Sequence, residues 1–180
     1  YIDCFGERKN KILIILPGDA RGVREFMRQR MLNALEKWIS NPRDNNTSLI
    51  IRFRKKSNIN EIPEWRDIYK LAENNKEIIV DFNEFTTQEL IFLSDIVVVP
   101  HTSFSMTESL ALEKVVFSFD FLGSAAVYFK GYGPDLIITE EKKLYDILSG
   151  NIKDLDSLDT NYQKLTNDLD SHYDGNNAAR

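Results

Sequence analysis

Residues 100–109 read PHTSFSMTES, and their side-chain types suit the capture of an anion next to a sugar. Thr102, Ser103 and Ser105 supply hydroxyls that can bond phosphate oxygens. A helix starting here would add unsatisfied backbone N–H groups and the positive end of its dipole. Glu108 lies five residues beyond Ser103, where a carboxylate can accept hydrogen bonds from the vicinal hydroxyls of a ribose or hexose. His101 has an imidazole that can contact phosphate or sugar, or act as a general base near neutral pH. Each residue also has a purely structural reading: Thr102 or Ser103 as a helix cap, Glu108 as a solvated helix residue, His101 as a strand-end residue.

Two further loops carry matching chemistry. Residues 17–22, PGDARG, offer Gly18 for close backbone approach and Arg21 as a cation. The segment lacks the lysine followed by Ser or Thr that a P-loop needs, and it does not fit the dinucleotide pattern GxGxxG. Residues 52–58, RFRKKSN, place Arg52, Arg54, Lys55 and Lys56 within five positions, the densest positive charge in the chain. Guanidinium and ammonium groups at a strand end neutralise a diphosphate or a sugar carboxylate, although a solvated basic loop reads the same way. Alternation along an extended chain would turn Arg52 and Arg54 to the same side.

The elements that must position these loops follow from periodicity. Apolar runs at 11–16, 48–53, 77–82, 96–99, 115–119 and 136–139 have strand length, and several are too continuously apolar to leave a face in water. Between them, Val23, Phe26, Met27, Met31, Ala34, Leu35 and Trp38 recur at three- and four-residue spacing, which predicts a helix ended by Asn41 and Pro42. Residues 63–74 repeat the pattern with Pro63 in the first turn, and residues 86–93 open on Thr86 or Thr87 with Glu89 in a capping position. Residues 140–149 predict a further helix stopped by Gly150. Strands alternating with helices predict a Rossmann-like, doubly wound parallel sheet of about six strands with helices on both faces. The loops at 17–22, 52–58 and 100–109 then all lie at carboxyl ends of strands. Residues 152–173 are polar and spaced like one more surface helix.

Composition narrows the function classes. A chain of 180 residues with 42% hydrophobic content can bury the core of one domain, so disorder is excluded as the general description. A net charge of −5 with no extended basic track argues against nucleic acid as a partner. The lone Cys4 allows no internal disulfide and has no cluster to form a metal site, which fits a reducing cytoplasm. No apolar run approaches the roughly 20 residues of a membrane span. The chain begins at Tyr1 and closes on Arg180 just after a DGNN turn, which predicts a piece of a longer polypeptide.

The stretch SDIVVVPHTSFSMTESLALEKVVFSFD resembles the carboxyl-terminal, donor-binding half of GT-B glycosyltransferases. Its flavour is that of bacterial capsule and surface-polysaccharide enzymes, with glycerophosphate transferases of teichoic-acid synthesis nearby. Ser103, Glu108, Ser109, Leu110, Ala111, Leu112 and Lys114 fall in register with the family pattern, whereas Glu113 and Val115 stand where the family has glycine and proline. The resemblance implies that Ser103 and its neighbours hold the donor phosphate and that Glu108 binds the nucleotide ribose. It implies further that Gly18, Arg21, Arg52, Arg54, Lys55, His101, Thr102 and Ser105 line the same nucleotide-sugar site, without a metal or other cofactor. Residues 1–10 would then be a linker or the end of a missing amino-terminal domain, 11–150 the nucleotide-sugar-binding domain and 151–180 a helical tail. The glycan acceptor and the catalytic base would belong to the missing domain. The whole enzyme would work in the cytoplasm at the inner face of the membrane. Alternatives are a polyol-phosphate transferase or sugar-nucleotide epimerase built on the same half-fold, or a non-catalytic α/β interaction module. A signalling receiver is disfavoured, since PGDARG carries one acid where an acidic cluster is required.

Overall fold

A computed structural model describes residues 10–16, 23–41, 47–100, 103–121 and 136–152. Six strands form one parallel sheet: β1 (Asn10–Ile15), β2 (Thr47–Arg52), β3 (Ile78–Asp81), β4 (Ile96–Pro100), β5 (Val115–Phe119) and β6 (Ile137–Ile138). Their spatial order is β3-β2-β1-β4-β5-β6, and every pairing is parallel. The expected Rossmann-like α/β architecture is therefore present. Ile12, Leu13 and Ile14 of β1, Leu49, Ile50 and Ile51 of β2, and Val97, Val98 and Val99 of β4 are all buried, as central strands covered on both faces require.

The described helices are α1 (Val23–Ser40), α2 (Asn58–Glu61), α3 (Pro63–Glu73), α4 (Thr87–Leu93), α5 (Phe104–Ala111) and α6 (Glu141–Leu148). From β1 to β3 the chain steps toward one edge of the sheet, and from β4 to β6 toward the other. Right-handed crossovers then place α1 and α3 on one face and α4 and α5 on the opposite face. The packing agrees: α1 contacts α3 and α6, and α4 contacts α5. The short α2 has no hydrophobic period, so nothing in the sequence pattern signals it.

Specific contacts fix the α1 layer. Arg28 of α1 donates to Glu64 of α3 at 3.3 Å in a buried ion pair, with its guanidinium 5.8 Å from the centre of the Trp65 ring. Trp38 Nε1 and Thr47 Oγ1 both donate to the Leu148 carbonyl, at 2.8 and 2.5 Å, tying α1 and β2 to the end of α6. Gly150 then takes φ +74°, the left-handed cap conformation that its position after α6 suggests. Phe26 departs from the expected inward stripe. It is 46% exposed and lies beneath the Arg30 guanidinium, 4.5 Å from the ring centre.

Candidate functional site

The sheet reverses its order between β1 and β4. These strands are neighbours, pairing Ile12 with Ile96, Leu13 with Val97 and Ile14 with Val98, yet the helices that follow them lie on opposite faces. The chain ends above such a reversal diverge and leave a crevice, which is where open α/β sheets bind ligands. Leu16, after β1, and Pro100, at the end of β4, are the described residues at this reversal. Of the sequence-predicted residues, Gly18, Arg21, His101 and Thr102 lie outside the described residues.

The remaining part of the corner is α5. Ser103 is its N-cap, with extended backbone (φ −83°, ψ 134°), and its Oγ accepts the Ser105 N–H at 3.3 Å. Ser105 is half-buried in the first turn, and its carbonyl accepts from Ser109 Oγ at 2.6 Å. Thr107 Oγ1 donates back to the Phe104 carbonyl at 2.8 Å, so this hydroxyl serves the helix. Phe104 is 88% exposed. Glu108 stands one turn below Phe104 on the same side of the helix. Its Oε1 accepts from Gln88 Nε2 of α4 at 2.7 Å, and its Oε2 has no partner among the described residues.

The far end of α5 closes in a regular cap even though Glu113 and Val115 replace the glycine and proline of the family pattern. Glu113 N donates to the Leu110 carbonyl at 3.0 Å and Lys114 N to the Ser109 carbonyl at 3.0 Å, the paired bonds of a Schellman cap. Glu113 has φ 55°, so the chain keeps the left-handed turn usually given to glycine although a glutamate occupies it. The turn leads directly into β5.

The basic loop divides in two. Arg52 is turned into the fold: it donates to the Asp81 carboxylate, to the Phe85 carbonyl at 2.7 Å and to Asn83 Oδ1 at 2.7 Å. Asp81 in turn accepts backbone N–H bonds from Asn83, Glu84 and Phe85 at 3.1 to 3.2 Å, and Asn83 takes φ 65° in this turn. Strand geometry ends at Arg52, so Arg54 does not share its direction; Arg54, Lys55 and Lys56 are exposed. Lys56 lies 5.8 Å from the Phe82 ring centre, and the Arg54 carbonyl accepts from Asn83 Nδ2 at 2.5 Å.

The loop that Arg52 clamps runs straight into α4. Thr86 and Glu89 form a reciprocal capping box there. The Glu89 N–H donates to Thr86 Oγ1 at 3.2 Å, while Glu89 Oε2 accepts from the Thr86 N–H at 2.7 Å and its hydroxyl at 2.8 Å. These bonds hold the Glu89 carboxyl below the ordinary glutamate range. Gln88 is in the same first turn. Neither Gln88 nor Asp81 belongs to a motif that residue type or spacing would single out. Each gains significance only from the residue it meets, Glu108 for the one and Arg52 for the other.

An apolar groove of about 1190 Å³ is lined by Tyr69, Phe82, Phe85, Gln88, Phe92 and Leu112 among others. Ser103, Ser105 and Glu108 do not line it, but Gln88, which bonds Glu108, does. Among the described residues, no cluster of three or more His, Cys, Asp or Glu side chains is arranged to hold a metal ion. No described helix is long and apolar enough to cross a membrane.

No protein-family model matches the sequence, and no curated protein matches it. Among solved structures, the chain is similar to the catalytic domain of cholesterol-alpha-glucosyltransferase from Helicobacter pylori, with a TM-score of 0.54 and 15% identity. The alignment covers 89% of this chain and 99% of that one. At this identity the likeness establishes the shared fold.

Proposed function

We propose that this chain is the nucleotide-sugar-binding part of a glycosyltransferase of the GT-B type, acting in bacterial surface-polysaccharide synthesis. The observation that carries the reading is Glu108: a half-buried residue on the helix that follows β4, with one carboxylate oxygen held by Gln88 and the other open. Such a group accepts from the two hydroxyls of a ribose while the first turn of α5 faces the phosphates. The fold shared with a glucosyltransferase catalytic domain supports this reading.

In the proposed reaction an acceptor hydroxyl attacks the anomeric carbon and loses its proton. The bond from that carbon to the phosphate oxygen breaks, and the nucleoside diphosphate leaves with the electron pair. N–H groups at the start of α5, Ser105, Arg54 and Lys55 would stabilise the departing charge, and Arg52 would contribute through the loop it anchors. The base and the acceptor site are assigned to a second domain.

Calorimetric titration with UDP, GDP, CDP and CMP tests the reading. One nucleotide should be preferred, and Ser103→Ala and Glu108→Ala should each weaken it. Absence of binding at millimolar concentration, or NMR shifts that map away from residues 100–108, would overturn it.

A further inference from the structure

Gln88 and Glu108 are 20 positions apart and meet only because α4 and α5 lie side by side. Resting on the donor reading, we propose that Gln88 is a positioning residue that fixes the Glu108 carboxylate for a ribose diol and thereby selects ribonucleotides over 2′-deoxyribonucleotides.

The chemistry of the pair supports this role. A glutamate on a helix surface has several rotatable bonds, and holding it in one rotamer before the ligand arrives removes an ordering cost from binding. The holding group must not neutralise the carboxylate, because the charge is what strengthens the bonds accepted from the diol. A glutamine amide meets both conditions. It donates one N–H at 2.7 Å, carries no charge and leaves Oε2 open. A lysine or arginine at this position would compete with the ligand as an ion-pair partner.

The support of Gln88 itself is built for rigidity. Its helix turn is closed by the Thr86 and Glu89 capping box, and the preceding loop is pinned by Asp81, which Arg52 holds from the next strand. The Asp81 turn, the capping box and Gln88 thus follow one another along residues 81–89, each held by its own hydrogen bonds.

The test compares UDP with 2′-deoxy-UDP, and likewise the CDP and GDP pairs, on the full chain and on Gln88→Leu and Gln88→Glu. The unmodified chain should prefer the ribonucleotide. Q88L should lower that preference roughly three- to tenfold, the worth of one hydrogen bond, weakening the ribonucleotide more than the 2′-deoxynucleotide, which keeps only its 3′-hydroxyl for Glu108. Q88E, which sets a second carboxylate against Glu108, should lower it further. If both variants keep the original preference, or weaken both sugars equally, Gln88 only ties two helices together and the inference falls. If the unmodified chain binds no nucleotide, the donor reading itself falls and takes the inference with it. Binding that retains its ribose preference in Q88L removes the inference alone.

Discussion

Arg52 and Asp81 are register partners on adjacent parallel strands, and their side chains pair directly at the carboxyl end of the sheet. Both are largely withdrawn from water, at 11% and 2% side-chain exposure. Asp81 also caps three backbone N–H groups of the turn that follows β3. Removing the carboxylate would strand a guanidinium and those donors together. Asp81→Ala is therefore expected to destabilise the fold by about 3–5 kcal/mol, the range for breaking a buried ion pair from one side. Urea unfolding measures this. A loss under about 1 kcal/mol would mean that the clamp is dispensable.

Arg54 and Lys55 are expected to behave in the opposite manner. Both are exposed, so their substitution by alanine should change stability by no more than about 0.5 kcal/mol. If they steer a nucleotide diphosphate, the double variant should weaken binding, and the difference from the unmodified chain should shrink as salt rises. A difference that is unaffected by salt would exclude them as steering charges.

Glu113 carries a left-handed backbone at φ 55° inside an otherwise well-formed Schellman cap. For a residue with a Cβ this conformation costs roughly 1–2 kcal/mol, and glycine removes the penalty at some cost in unfolded-chain entropy. Glu113→Gly should consequently stabilise the protein by about 0.5–1 kcal/mol, read as a raised urea midpoint at constant slope. A lowered midpoint would show that the Glu113 side chain contributes more than its backbone costs.

Gly150 presents the inverse case. Its φ is +74°, and an added Cβ would meet Thr47 Cγ2 at 3.2 Å and Asn10 Nδ2 at 3.3 Å. Gly150→Ala combines backbone strain with a tight contact at the seam where Thr47 and Trp38 grip the Leu148 carbonyl. A loss of more than about 1 kcal/mol is expected from the conformation alone. An unchanged midpoint would mean that the seam yields.

The sheet and the described helices other than α2 were legible because their signals are local: apolar runs, three- and four-residue spacing, Gly150 after α6 and Glu89 three residues beyond Thr86. Arg52 was not legible in the same way. Its spacing marked it as a loop cation, but its partner is set by which strand lies beside β2, and strand order is a property of the whole chain. The same limit hid Gln88, whose significance depends on α4 and α5 sharing a face. Phe26 obeyed the helical period and yet remained half-exposed, with the Arg30 guanidinium over its ring. In the corner, Ser103 was legible as a helix cap and Glu108 as a residue of the helix it caps, while the hydrogen bond from Gln88 to Glu108 was not.

The capping box makes stability depend on acidity in a direction that follows from its geometry. Glu89 accepts from both the N–H and the hydroxyl of Thr86, and these bonds hold its carboxyl below the ordinary glutamate range in the folded state. In the unfolded chain the group returns to that range, so between the two values the unfolded state binds more protons. Stability must then rise with pH across this window. The contribution is fully present above the unfolded value and is lost as pH falls through the depressed folded one. Glu89→Gln keeps the shape but removes the titration. Urea midpoints measured from neutral pH down to about pH 3, below the ordinary glutamate range, should accordingly fall less steeply in the variant. Parallel curves would show that Glu89 is not held by Thr86 in solution, and the start of α4, with Gln88 in it, would lose the anchor assigned to it.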